Sequence, residues 1–140
     1  MKLITTLTAL LLLTFSGIAQ EEQNKLTITV TVENAKNDNG KILIDLHTQE
    51  TFLKGKGIES LESKVENGKA TFTFKNVTPG EYALLVLHDE NENYTMDFET
   101  NGMPKESYGT SNNPMSFGPP QFNEAKFSVA DESLNLTIRF

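Results

Sequence analysis

A chain of 140 residues without a single cysteine holds no disulfide and no lipid-modified cysteine anchor, and it is long enough to bury a core without such staples. Its 19 acidic residues against 12 basic ones, a formal net charge of −7, argue against nucleic acid or an anionic membrane surface as a partner.

The first residues carry the three parts of a secretory signal: the positive charge of Lys2, an uncharged apolar run over residues 3–15, and the small-residue exit Gly17-Ile18-Ala19. Cleavage is expected after Ala19, with Gln20 first in the mature chain. A membrane-spanning reading is weaker, because the run falls short of the roughly 20 apolar residues a spanning helix needs. The polar, acidic stretch 20–23 follows at once. No later apolar stretch exceeds residues 82–87, so no further span is expected. The expected organisation is a signal peptide over 1–19 and one domain over 20–140. That domain is expected to be exported to the periplasm or beyond, and to be a monomer.

In the domain, Leu26, Ile28, Val30 and Val32 alternate with polar residues, the period of a half-buried strand. The cluster Asn37-Asp38-Asn39-Gly40 is rich in turn formers, and the apolar run 42–46 follows, which predicts a hairpin pairing the first two strands. Residues 50–61 are polar and lack clear periodicity, so a connection with at most a short helical turn is expected. Ala70, Phe72 and Phe74 alternate again, and Thr78-Pro79-Gly80 makes a turn. The run 82–87 is apolar on both faces, as a central strand covered on each side would be. Residues 125–129 and 134–140 close the chain as two further strands, the last with Leu134, Leu136, Ile138 and Phe140 on one face. No segment carries a sustained helical stripe. The prediction is an all-β fold, a single β-sandwich of about six to seven antiparallel strands. Between the fourth and fifth strands lies one long loop, residues 89–124, rich in Gly, Pro, Asn and aromatics. Loops of that length are usually functional or disordered, so function is sought there first.

The stretch 88–113, HDENENYTMDFETNGMPKESYGTSNN, together with Gly118-Pro119-Pro120-Gln121-Phe122 and the earlier Thr78-Pro79-Gly80-Glu81-Tyr82-Ala83, resembles a family of exported bacterial proteins known as domain of unknown function 2141. The resemblance covers most of the chain after the leader and implies no known activity. Tyr94 stands where that family usually has glycine. More distantly, the Pro-Gly-Glu-Tyr turn is similar to that of immunoglobulin-like or transthyretin-like β-sandwich modules found beside secreted enzymes, an analogy of fold alone.

The sharpest local pattern is Asp89, Asn91, Asn93 and Asp97, with Thr95 able to lend its backbone carbonyl and Glu99 or Glu106 able to add a carboxylate. Alternate-residue oxygens on a curled loop suit calcium, which takes six to eight oxygen ligands. Tyr94 at the sixth position and Thr100 at the twelfth exclude an EF-hand. The competing reading is an acidic, solvated loop whose asparagines only make turns. His88, beside Asp89, is either a general base or metal ligand, or a histidine bonded to backbone at the root of the loop. His47 ends the second strand on the face of Lys41, Leu43 and Asp45, and the two histidines alone are too few ligands for a metal site. Ser107, Ser111 and Ser116 lie in no nucleophile motif. The aromatics Tyr94, Phe98, Tyr108, Phe117 and Phe122 either stack on a sugar or partner, or pin the loop to the sandwich. No residue is assigned a catalytic or cofactor-binding role. The leading expectation is a non-enzymatic binding or envelope-associated module whose unknown protein or glycan partner meets loop 89–124, with calcium as the one ion considered. The alternative is an enzyme or enzyme accessory using His88 and nearby acids on a small substrate or glycan.

Overall fold

The computed structural model describes residues 25–140, and the expected signal peptide lies outside the described residues. Eight strands and one short helix follow in chain order: β1 (Leu26–Glu33), β2 (Lys41–His47), β3 (Glu59–Lys64), β4 (Ala70–Val77), β5 (Gly80–Asp89), β6 (Tyr108–Thr110), α1 (Phe122–Ala125), β7 (Phe127–Val129) and β8 (Leu134–Arg139). They form two facing sheets, a β-sandwich. One has the order β4-β1-β8; the other runs β3-β2-β5-β6, with β7 also paired to β5. All pairings are antiparallel except β1 with β8, which run parallel.

The alternation read in the sequence decides which side chains enter the space between the sheets. Ile28, Val30 and Val32 of β1 meet Phe72 and Phe74 of β4 and Ile138 of β8 on one side. Ile42, Ile44 and Leu46 of β2 with Leu84 and Val86 of β5 close from the other. Phe74 is fully buried, and such a ring contributes roughly 1.5–3 kcal/mol by leaving water.

The predicted hairpin between the first two strands does not form. β1 pairs with β4 and β8, β2 pairs with β3 and β5, and the connection between them crosses from one sheet to the other. Asn34, with φ of 65°, turns the chain out of the sheet directly after Glu33. Asp38 then accepts the backbone N–H groups of Asn67 (2.9 Å) and Gly68 (2.8 Å), and Ala35 N–H reaches the Gly68 carbonyl (3.0 Å). The segment 34–40 is thus tied to the β3–β4 turn through Ala35 and Asp38, and to the end of β5 through Asn37 and Asn39, instead of joining β1 to β2 as a hairpin.

Two strands went unread. The segment 50–61, expected as a connection, ends in the edge strand β3, where only Leu61 packs on the core. β6 lies inside the predicted loop and holds only three residues. It pairs with Leu85, Val86 and Leu87, while β7 pairs with Gly80, Glu81 and Tyr82, so the two short strands follow one another along the same edge of β5.

β5 is apolar on both faces, as its sequence requires. Leu84 and Val86 point into the sandwich. On the outer face Ala83 is sealed by Phe52 and Ala125, with Phe122 packed alongside. Further along the same face Leu85 and Leu87 are only partly buried.

Candidate binding cleft

The outer face of the five-stranded sheet is built by register. Leu43 of β2 stands opposite Leu87 of β5, which stands opposite Tyr108 of β6, and Asp45 stands opposite Leu85. A solvated sheet face would normally carry polar side chains in that row. Here the row is the floor of a cleft of about 640 Å³. The loop after β5 supplies the facing wall through Tyr94, Met96, Phe98, Met103 and Pro104, and Gly118 to Pro120 close one end. The tip is a small hairpin of its own: Glu99 N–H donates to the Met103 carbonyl (2.7 Å), Lys105 N–H to the Asp97 carbonyl (2.8 Å), and Phe98 bridges Pro104.

The root of this loop is held by carboxylates. Asp89 is fully buried, and its two oxygens accept the N–H groups of Asn93 (3.1 Å) and Tyr94 (2.8 Å). Asn91 and Asn93 each accept the N–H two residues on, from Asn93 and Thr95, which makes successive side-chain turns. Their amide groups then donate to Asp97, from Asn91 at 2.7 Å and from Asn93 at 3.0 and 3.1 Å. Glu106 returns from the far end of the loop to accept the N–H groups of Glu90 (3.0 Å) and Asp97 (3.2 Å). Tyr94 adopts φ of 62° despite its side chain, so the curl expected to need glycine forms without it.

The structure therefore gathers Asp89, Asn91, Asn93 and Asp97 with Glu106, and leaves Glu99 engaged only through its backbone. Among the described residues no group of three or more His, Cys, Asp or Glu side chains is arranged to hold a metal ion. Two of the five gathered side chains, Asn91 and Asn93, are amides.

A latch that sequence reasoning missed fastens the loop to the sheet. Lys41 Nζ donates to the Tyr94 hydroxyl (2.8 Å) and to Glu62 Oε1 (3.0 Å), and lies 4.9 Å from the centre of the Tyr94 ring. The Tyr94 hydroxyl and the Glu62 carboxylate hold the Lys41 ammonium well above its usual range, and the bond from Lys41 holds Glu62 below its own. Lys41 and Glu62 sit on paired strands, but β3 carries too weak an apolar signal to be read, so the neighbourhood was invisible.

The two histidines lie on neighbouring strands yet do not meet. His47 stands opposite Ala83 and His88 opposite Ile42, at opposite ends of the pair and on opposite faces. His88 is buried inside the sandwich, its ring stacked on Phe140 at 6.0 Å and its Nε2 2.8 Å from the Asn39 carbonyl. It is bonded to backbone at the root of the loop and does not line the cleft. His47, also buried, contacts Thr51 Oγ1 through Nδ1 (3.1 Å) and meets the edge of Phe52 at 5.8 Å. Burial pushes its imidazole below the ordinary histidine range.

Of the serines, Ser111 is buried, accepting Leu84 N–H (3.0 Å) and donating to the Ala125 carbonyl, so it ties β5 to α1. Ser116 donates to Glu124 (2.8 Å). The aromatics divide. Phe122 packs on Phe52 at 5.6 Å and pins the loop's end, Tyr94, Phe98 and Tyr108 surround the cleft, and Phe117 is fully exposed.

Fold and site define a class: a two-sheet β-sandwich whose long loop walls an apolar cleft on the outer face of the larger sheet. The chain belongs to the family domain of unknown function 2141, described as an uncharacterized protein conserved in bacteria, which matches residues 30–137. That span includes the cleft and the carboxylate-held loop. No curated protein and no solved structure matches the chain.

Proposed function

We propose that this protein is an exported, non-enzymatic binding module whose ligand seats in the cleft between the outer sheet face and loop 89–124. The observation that carries the reading is an apolar concavity where a sandwich would ordinarily meet water. Its volume of about 640 Å³ falls in the range of roughly 300–1,000 Å³ typical of small-molecule sites, and its walls are aliphatic and aromatic. A glycan would need several polar partners for its hydroxyls, and the lining offers few, so a compact ligand with an apolar body suits the cleft better. His88 supports the non-enzymatic reading, since it faces the core and has no access to a bound molecule.

Calcium enters this proposal as an ion that would stiffen the cleft's loop wall through Asp89, Asn91, Asn93, Thr95 and Asp97. Support comes from the curl at Tyr94 and from the Asn91 and Asn93 side chains, which both meet Asp97.

A neutral solvatochromic dye such as Nile red tests the cleft. Its fluorescence should rise and shift to the blue on adding the purified protein. Replacing the paired floor residues, Leu43→Gln with Leu87→Gln, should abolish the change while the variant still unfolds cooperatively. Equal dye binding by parent and a folded double variant would overturn the reading.

A further inference from the structure

We infer that the cleft selects small amphiphilic amines, molecules with one cationic nitrogen on an apolar body, and that Asp45 is the counter-ion for that nitrogen. This rests on the cleft being a ligand site, as proposed above, and adds which ligand chemistry it takes.

Asp45 is the one charged residue among those lining the cleft. Its side chain keeps 33% of its exposure and makes no hydrogen bond among the described residues. Its neighbours across the sheet are Ser60 on β3 and Leu85 on β5, neither a cation. Lys41, on the same face of β2, is engaged by Glu62 and Tyr94. The nearest basic group is His47 Nε2, at 4.0 Å from Asp45 Oδ2. That nitrogen is itself buried and without a hydrogen-bond partner, and desolvation keeps the ring neutral at neutral pH. The carboxylate therefore stands uncompensated against an apolar wall.

Such a group loses hydration when a ligand body covers it, and the loss is recovered only if the ligand brings an opposite charge. An anionic ligand would meet both Asp45 and the field of a chain carrying a formal net charge of −7. A neutral one would cover the carboxylate without pairing it. The aromatic faces of Tyr94, Phe98 and Tyr108 around the cleft are compatible with a cation as well as with an apolar chain.

The experiment compares n-octylammonium, n-octanol and n-octanoate, equal in chain length and different in charge, by calorimetric titration and by amide chemical shifts of β2 and β5. Octylammonium should bind at least about tenfold more tightly than either analogue, a difference of about 1.4 kcal/mol. Asp45→Asn, close in shape, should remove that advantage while octanol binds at least as tightly as to the parent, because no charge is left to be covered unpaired, and that binding also shows that the cleft of the variant is intact. Equal binding of octanol and octylammonium by the parent, or an unaltered preference in Asp45→Asn, would overturn charge selection and leave the cleft standing. Failure of all three probes together with Nile red would remove the ligand site and this inference with it.

Discussion

Replacing Asp89 tests whether the loop that walls the cleft is held by carboxylates. Asp89→Ala removes the acceptor of two backbone N–H groups, those of Asn93 and Tyr94, at a fully buried side chain. Hydrogen bonds to a charged acceptor contribute about 1.5–3 kcal/mol each. Both donors lie near the surface, where water can partly replace the lost oxygen, so the combined cost should be about 2–4 kcal/mol. Asp89→Asn keeps one acceptor oxygen and should cost roughly half as much. Urea unfolding at constant slope gives the stability change, and hydrogen exchange at the Asn93 and Tyr94 amides locates it. A midpoint for Asp89→Ala within about 0.5 kcal/mol of the parent, the range of an indifferent surface change, would refute the argument. The same titrations in calcium and in chelator decide the ion's part. A bound calcium at a hundredfold above its dissociation constant should stabilise the parent by about 2.7 kcal/mol. Asp97→Asn, which keeps both Asp89 bonds, should lose most of that gain. Unchanged melting of the parent in millimolar calcium would retire the ion and leave the hydrogen-bond argument intact.

Phe74→Ala, at a fully buried ring between the sheets, should cost about 3–5 kcal/mol in chemical unfolding, and a variant as stable as the parent would show the core to be misassigned. Acid stability follows from His47. Burial lowers its folded-state pKa below the ordinary 6.5, so the unfolded chain takes up a proton first as pH falls. Its contribution is complete above that pH and declines below it by at most about 1.4 kcal/mol per pH unit. His47→Gln should therefore lose less stability than the parent between pH 7 and pH 5, and parallel curves for the two proteins would contradict the assignment. Export is checked by N-terminal mass analysis of protein recovered outside the cytoplasm, which should begin at Gln20; retention of residues 1–19 in that material would disprove cleavage.

The strands that proved legible are those whose burial is decided by apolar alternation alone. Leu26, Ile28, Val30 and Val32 all lie in the core, and so do Phe72, Phe74, Leu84 and Val86, because a period of two leaves no other way to hide them. What escaped depends on partners far along the chain. The turn formers of 37–40 look like a hairpin until Asp38 is seen to hold Asn67 and Gly68. β3 offers one core-packed side chain, Leu61, and β6 is three residues whose strand character comes from pairing with β5. The oxygen-bearing residues of the loop could be read as a group, since their spacing is local. The Lys41 latch could not, since it joins β2, β3 and the loop.

Asp45 shows the same limit in a single residue. In the sequence it is the one polar residue of the apolar run 42–46, and the run alone gives it no role. Its meaning comes from β5, whose outward Leu85 and Leu87 already required a cover. One end of that face is sealed by Phe52, Phe122 and Ala125, and a continuous seal would have enclosed the carboxylate in a dry core at a cost of several kcal/mol. The loop does not complete the seal. It stands off from Leu43, Leu85 and Leu87 on side-chain hydrogen bonds at its root and a lysine latch at Tyr94, leaving a cleft in which Asp45 keeps part of its hydration. An apolar floor, a loop held off it by polar bonds at its root, and one unpaired acid are thus parts of one arrangement. Gly109 of β6, opposite the inward Val86, faces the other way, where a Cβ would come within 2.9 Å of the Ile138 side chain, so a larger residue there would crowd the core and leave the cleft unfilled.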